Sequence, residues 1–134
     1  MVRLSLCTPC FLLLLCSCGT VKMYPGPSRP KSEVATLQPG GHLFRAVSIS
    51  SVDGQSLGFG NRYAEVLPGK HVVLVQLTRA NGNVTRIIQR EVEFVAKAGK
   101  TYTAEADETG FWDVTLWVWI EDPLGRIVGG QKPK

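Results

Sequence analysis

Beyond position 18 the chain contains no cysteine: Cys7, Cys10, Cys16 and Cys18 all fall within the first eighteen residues. Whatever folds after them does so without disulfides, even in an oxidising compartment. Histidine is almost as scarce. His42 falls in a glycine-rich stretch with no second ligand at metal spacing, and His71 opens a strand after a turn, so neither points to a metal centre. Basic residues exceed acidic ones by four, yet no run of Lys or Arg is longer than two. The blocks of positive charge that mark a nucleic-acid tail are therefore missing. No segment holds the i, i+3, i+4 apolar pattern of an amphipathic helix over three turns. Nor is there a Gly-x-Ser-x-Gly elbow, a His-Glu-x-x-His pair, a P-loop or a dinucleotide fingerprint. The chain accordingly reads as non-catalytic, with no cofactor and no metal.

The composition that remains is that of a globular protein, 44% hydrophobic and 19% charged over 134 residues, with room for one modest core. Fourteen glycines and eight prolines favour many turns and short strands.

Arg3 followed by an apolar segment culminating in Phe11–Leu15 reads as a signal peptide, too short to span a bilayer at ~20 apolar residues. Cys7-Thr8-Pro9-Cys10 has redox-motif spacing, but it lies in the part that would be removed. Leu15-Cys16-Ser17-Cys18 resembles the bacterial lipobox, with an aliphatic residue at −3 and a small residue at −1. The resemblance implies that Cys18 becomes the N-terminus and carries two or three acyl chains, enough for stable membrane anchoring. Gly19 stands where aspartate would retain a lipoprotein in the inner membrane, so in a diderm cell the implied destination is the outer membrane.

Residues 18–32 contain prolines and glycines in "YPGPSRP" and are expected to form an extended tether. From Glu33 the period becomes two. Strands are expected at Glu33–Leu37, Ala46–Val52, Arg62–Leu67, His71–Arg79, Val84–Val95, Thr101–Ala106 and Phe111–Ile120. Asp53-Gly54, Pro68-Gly69, Asn81-Gly82 and Ala98-Gly99-Lys100 supply the turns. The expected fold is all-β, a small antiparallel β-sandwich of six to seven strands over 33–122, with residues 123–134 a flexible basic tail. "SVDG" at Ser51–Gly54 and "YAEVLPGKHVVLVQL" at Tyr63–Leu77 resemble small bacterial lipoproteins and PEGA-type domains. That resemblance implies a prealbumin-like sandwich in the cell envelope and carries over no activity.

Alternation along "FWDVTLWVWIED" assigns Trp112, Val114, Leu116, Val118 and Ile120 to the core face. Trp117 and Trp119 are left side by side on the other face, a stacking platform for a glycan or an apolar partner group unless another element covers that strand. His71 is expected to bond turn carbonyls, Asp53 to serve its hairpin and Glu65 to lie on an exposed face. An enzyme would require these three to cluster in a cleft. The expectation is thus a lipid-anchored envelope protein that binds a protein partner or a glycan such as peptidoglycan, with no nucleic-acid partner. A structural or accessory subunit joined to a complex through a strand edge is the alternative.

Overall fold

A two-residue loop, Gly82-Asn83, turns the chain back on itself and makes its longest hairpin, thirteen paired positions from Gly69↔Ala96 to Asn81↔Val84. Gly82, at φ +62°, supplies the left-handed residue that such a turn wants at its first central position, one place later than the Asn81-Gly82 expectation. The computed structural model describes residues 19–42, 45–59 and 62–134. Cys18, the leader and the His42 side chain lie outside the described residues. The strands are β1 (Thr20–Lys22), β2 (Ala35–Pro39), β3 (Gly41–His42), β4 (Arg45–Val52), β5 (Gln55–Ser56), β6 (Tyr63–Val66), β7 (Gly69–Asn81), β8 (Val84–Ala96), β9 (Thr101–Thr109), β10 (Thr115–Glu121) and β11 (Ile127–Gly130), with one 3₁₀ turn at Lys31–Glu33. Among the described residues no helix is long and apolar enough to cross a membrane.

The fold is an all-β sandwich. One sheet runs β1-β6-β2-β9-β10-β11, and the other runs β3-β4-β7-β8 with β5 paired to β4. Seven of these strands are the expected ones, and β1, β3, β5 and β11 are additional short pieces. Pairing is not wholly antiparallel, because β1 runs parallel to β6 and β2 parallel to β9. Between β2 and β9 the chain crosses to the other sheet at Gly40-Gly41, comes back for β6, crosses again for β7 and β8, and rejoins the first sheet at β9. The Glu105 carboxylate fills the space where a Gly40 side chain would stand and accepts the Gly41 N–H.

Inward-facing positions obey the period of two. Leu37, Val47, Ile49, Val73, Val75, Leu77, Val92, Phe94, Tyr102, Ala104, Leu116, Val118 and Ile120 interdigitate between the sheets. A bulge between Ile49 and Ser51 advances β4 by one residue, so that Val52 also points inward.

Both ends of the expected domain need correction. Within the expected tether, residues 19–32 are not free: Thr20–Lys22 pair with Tyr63–Glu65, and Tyr24 is buried, its hydroxyl donating to Glu65 Oε1 at 2.7 Å and accepting the Arg29 N–H at 2.9 Å. Lys31 completes the clasp on Glu65 Oε2 at 2.9 Å. Residues 123–134 are not a frayed tail either, since Ile127–Gly130 pair with β10 and Gly129 packs against the β8 backbone at Glu93. Asp122 anchors that return by accepting the Leu124 and Arg126 N–H groups and the Arg126 guanidinium.

Candidate functional site: the open end of the sandwich

The two tryptophans nominated from the sequence do not form an open pair. Trp119 is 6% exposed, its Nε1 donates to Glu121 Oε1 at 2.9 Å, and the Lys132 ammonium lies 5.6 Å from the ring centroid. Trp117, half-buried opposite Asp107, donates to Thr109 Oγ1 at 2.8 Å. The reason is the return of β11: Trp119 pairs with Gly130, and the residues that follow reach over the indole. Trp112, assigned by alternation to the core, is instead 93% exposed, and Val114 is half-buried. Leu116, Val118 and Ile120 do face inward as expected.

Asp53 and His71 meet, but Glu65 is elsewhere. Asp53, at φ +50° in its hairpin turn, accepts the Val72 N–H on Oδ1 at 2.8 Å and faces His71 Nδ1 with Oδ2 at 2.6 Å. His71 Nε2 lies 2.6 Å from the Leu67 carbonyl, so both ring nitrogens face an oxygen of the protein itself, one of them the turn carbonyl that the sequence pointed to. Desolvation pushes the Asp53 carboxyl upward, yet the Val72 N–H and His71 outweigh it and hold the carboxyl below its ordinary range. Glu65 behaves alike: burial opposes ionisation, and the Tyr24 hydroxyl with Lys31 brings the net shift downward. Among the described residues no group of three or more His, Cys, Asp or Glu could hold a metal ion.

What the sequence reading missed lies at one end of the sandwich. Towards this end inward-facing positions carry charge: Arg45 continues the Ile49, Val47 series and reaches Asp107 Oδ1 at 2.6 Å, Arg79 continues the Val73, Val75, Leu77 series, Arg90 and Arg86 flank Ile88 on β8, and Glu108 continues the Tyr102, Ala104, Ala106 series. Arg79 and Arg86 are cross-strand partners, and Glu108 faces them from the opposite sheet with its Oε1 on Arg79 Nη1. The Glu108 side chain is only 7% exposed, and its Oε2 is buried without a donor among the described residues. Parity alone could have flagged these residues, because a charge on the core face of a strand calls for a partner across the sandwich.

Arg79, Arg86 and Glu108 line an open cleft of about 620 Å³ together with Val84, Gly110, Phe111, Trp112 and Val114. Gly110, at φ +97°, lets the Asp113 carbonyl approach to 2.2 Å from where a Cβ would stand. That close approach makes the loop tight and ends the alternation that a strand would have continued. Phe111 and Trp112 consequently point outward, 83% and 93% exposed, edge to face with ring centroids 5.0 Å apart. Val84, 68% exposed on the facing hairpin, extends the apolar rim. Chemically this end offers aromatic and aliphatic surface beside two guanidiniums, which suits a group that is apolar or ring-shaped on one side and rich in acceptors or negative charge on the other.

Comparison of the chain with family models, with curated proteins and with solved structures finds no match.

Proposed function

We propose that this is a lipid-anchored, non-catalytic protein of the cell envelope, attached through acyl chains on Cys18, in the outer membrane where the cell has two. Its folded part serves as a binding module. The anchor rests on the Leu15–Cys18 motif and its leader. Recognition rests on one observation, the uncovered Phe111–Trp112 pair over a cleft lined by Arg79 and Arg86. Two neighbouring aromatics left in water carry a solvation cost that a ligand or partner removes, and such anchors dominate interface energetics.

The test is mass spectrometry of the mature N-terminus together with whatever co-purifies, for the wild type and for Trp112→Ala. The expected result is acylated Cys18 and an associate lost in the variant. An unmodified Cys18 with the leader still attached sinks the anchor, and an associate retained by Trp112→Ala sinks the site. A second reading, a structural subunit joined through a strand edge, is favoured by β8, the last strand of its sheet, whose first half from Val84 to Gln89 is largely exposed. In that case a partner crosslinked in cells survives Trp112→Ala and is lost when proline replaces Ile87.

A further inference from the structure

The register ties the cleft to the anchor. Val21, Ala64, Leu37 and Tyr102 lie on one level across β1, β6, β2 and β9. Towards the same end of the sheet, Gly19, just before β1, is two residues away, while β9 runs on seven residues to Thr109 before the Phe111–Trp112 loop. Cys18 is covalently next to Gly19, and Gly19 is already held by the sheet, its carbonyl accepting the Tyr63 N–H. With no spacer between acylation site and sandwich, the position of Gly19 at a bilayer constrains the whole domain.

Five residues of strand separate the levels of Gly19 and Thr109, about 17 Å at ~3.4 Å per residue. Were the strands to stand upright, the cleft would be driven deeper than the ~15 Å half-thickness of the hydrocarbon core, taking Arg79, Arg86 and Glu108 with it. Four strand spacings, about 19 Å, separate β1 from β10 laterally, so a lean of roughly 40° brings Gly19 and the aromatic loop onto one plane. The side chains presented on that plane suit an interface: Phe111 and Trp112 bare, Val84 lining the same cleft, and two guanidiniums with a single carboxylate just behind. Phe59, 98% exposed in the loop that leads into β6, precedes Tyr63, the residue paired with Thr20 beside the anchor.

From this we infer that the occupant of the open end is the lipid surface to which the chain is tethered. Phe111 and Trp112 seat at the headgroup level, and Arg79 and Arg86 face acidic headgroups. The inference rests on the anchored reading above and supplies its ligand. Two or three acyl chains already provide affinity, so the loop sets orientation: the sandwich leans on the membrane instead of standing off it.

The full chain, expressed with its own leader in a bacterium, is reconstituted into protein-free vesicles of phosphatidylethanolamine and phosphatidylglycerol, either plain or brominated near the headgroup end of the acyl chains. Tryptophan emission is compared for wild type and Trp112→Phe, an exposed position whose change leaves the fold alone. The N-terminal peptide of the same sample is weighed. The expected result is acylated Cys18 and loss of most of the Trp112 emission in brominated vesicles, with Trp112→Phe scarcely quenched. Acylated Cys18 with equal Trp112 emission in both vesicles overturns the docking and leaves the anchor standing. Unmodified Cys18 with Trp112 quenched on added vesicles upholds the docking and discards the anchor. Shielding of Trp112 that requires a co-purified protein or an added glycan, and is absent in vesicles alone, overturns the lipid surface in favour of that partner.

Discussion

Replacing Gly129 with alanine tests whether the C-terminal return is part of the sandwich. A methyl group there would stand 2.3 Å from the Glu93 carbonyl oxygen and 2.9 Å from Phe94 Cβ, and real Cβ atoms essentially never come within 3.0 Å of such neighbours. Neither obstacle is the end of a flexible side chain. One belongs to the β8 backbone and the other is rooted in a buried phenylalanine, so β11 has to back away by about 1 Å, an over-packing worth about 1–3 kcal/mol. With a urea dependence of about 1–3 kcal/mol per molar for a protein of this size, the unfolding midpoint falls by about 1 M. The same retreat lifts Lys132 and its neighbours from Trp119, so acrylamide quenching of that indole, read in a Trp112→Phe, Trp117→Phe background, rises in parallel. If residues 123–134 were a frayed tail, alanine would meet nothing. A Gly129→Ala midpoint equal to that of the wild type therefore refutes the packing argument.

Three further outcomes are expected. Leu37→Ala, at the centre of the core with no exposed surface, costs about 2–5 kcal/mol in a urea melt, and a loss below about 1 kcal/mol contradicts the core assignment. Arg79→Met leaves the Glu108 carboxylate buried without its cation and costs about 1–3 kcal/mol, while Arg79→Met with Glu108→Met recovers most of that loss; a double variant as unstable as the sum of the two single ones argues against a shared charge pair. Asp53, Glu65 and Asp122 all hold their protons less tightly folded than unfolded. The unfolded chain accordingly takes up more protons as the pH drops, and the stability these groups confer, complete above the ordinary carboxylate pKa of ~4, is lost as pH falls through their depressed folded values. Urea midpoints measured down a pH series decline on this acid limb, and Glu65→Gln makes the decline shallower; an identical slope in the variant removes Glu65 from the account.

Much of the sandwich was legible before any coordinates. Seven strands, the Asp53-Gly54 turn with both residues at positive φ, and the inward face of Leu116, Val118 and Ile120 follow from alternation and turn chemistry, because a half-buried strand writes its orientation into every second residue. The sharpest failure came from the same rule carried too far. Phe111–Val114 were read in phase with Leu116–Ile120, but Gly110 closes a tight loop and resets the phase, so Trp112 moved from the core to the surface. Proline and glycine content likewise suggested loose ends, yet Tyr24 on Glu65 and Gly129 on β8 tie both ends down. Composition reports intrinsic stiffness and carries no information about a distant strand waiting to pair.

The sequence by itself determined the class, an all-β chain with no cysteine after position 18, since period, turn residues and cysteine placement are local properties. Only the tertiary structure decided which aromatics are free, because exposure depends on what returns over a face: β11 covers Trp119, and none of the described residues covers Phe111 and Trp112. It also decided that position 19 enters a sheet whose far corner carries those two rings, a relation between residues some ninety places apart that arises from strand pairing alone.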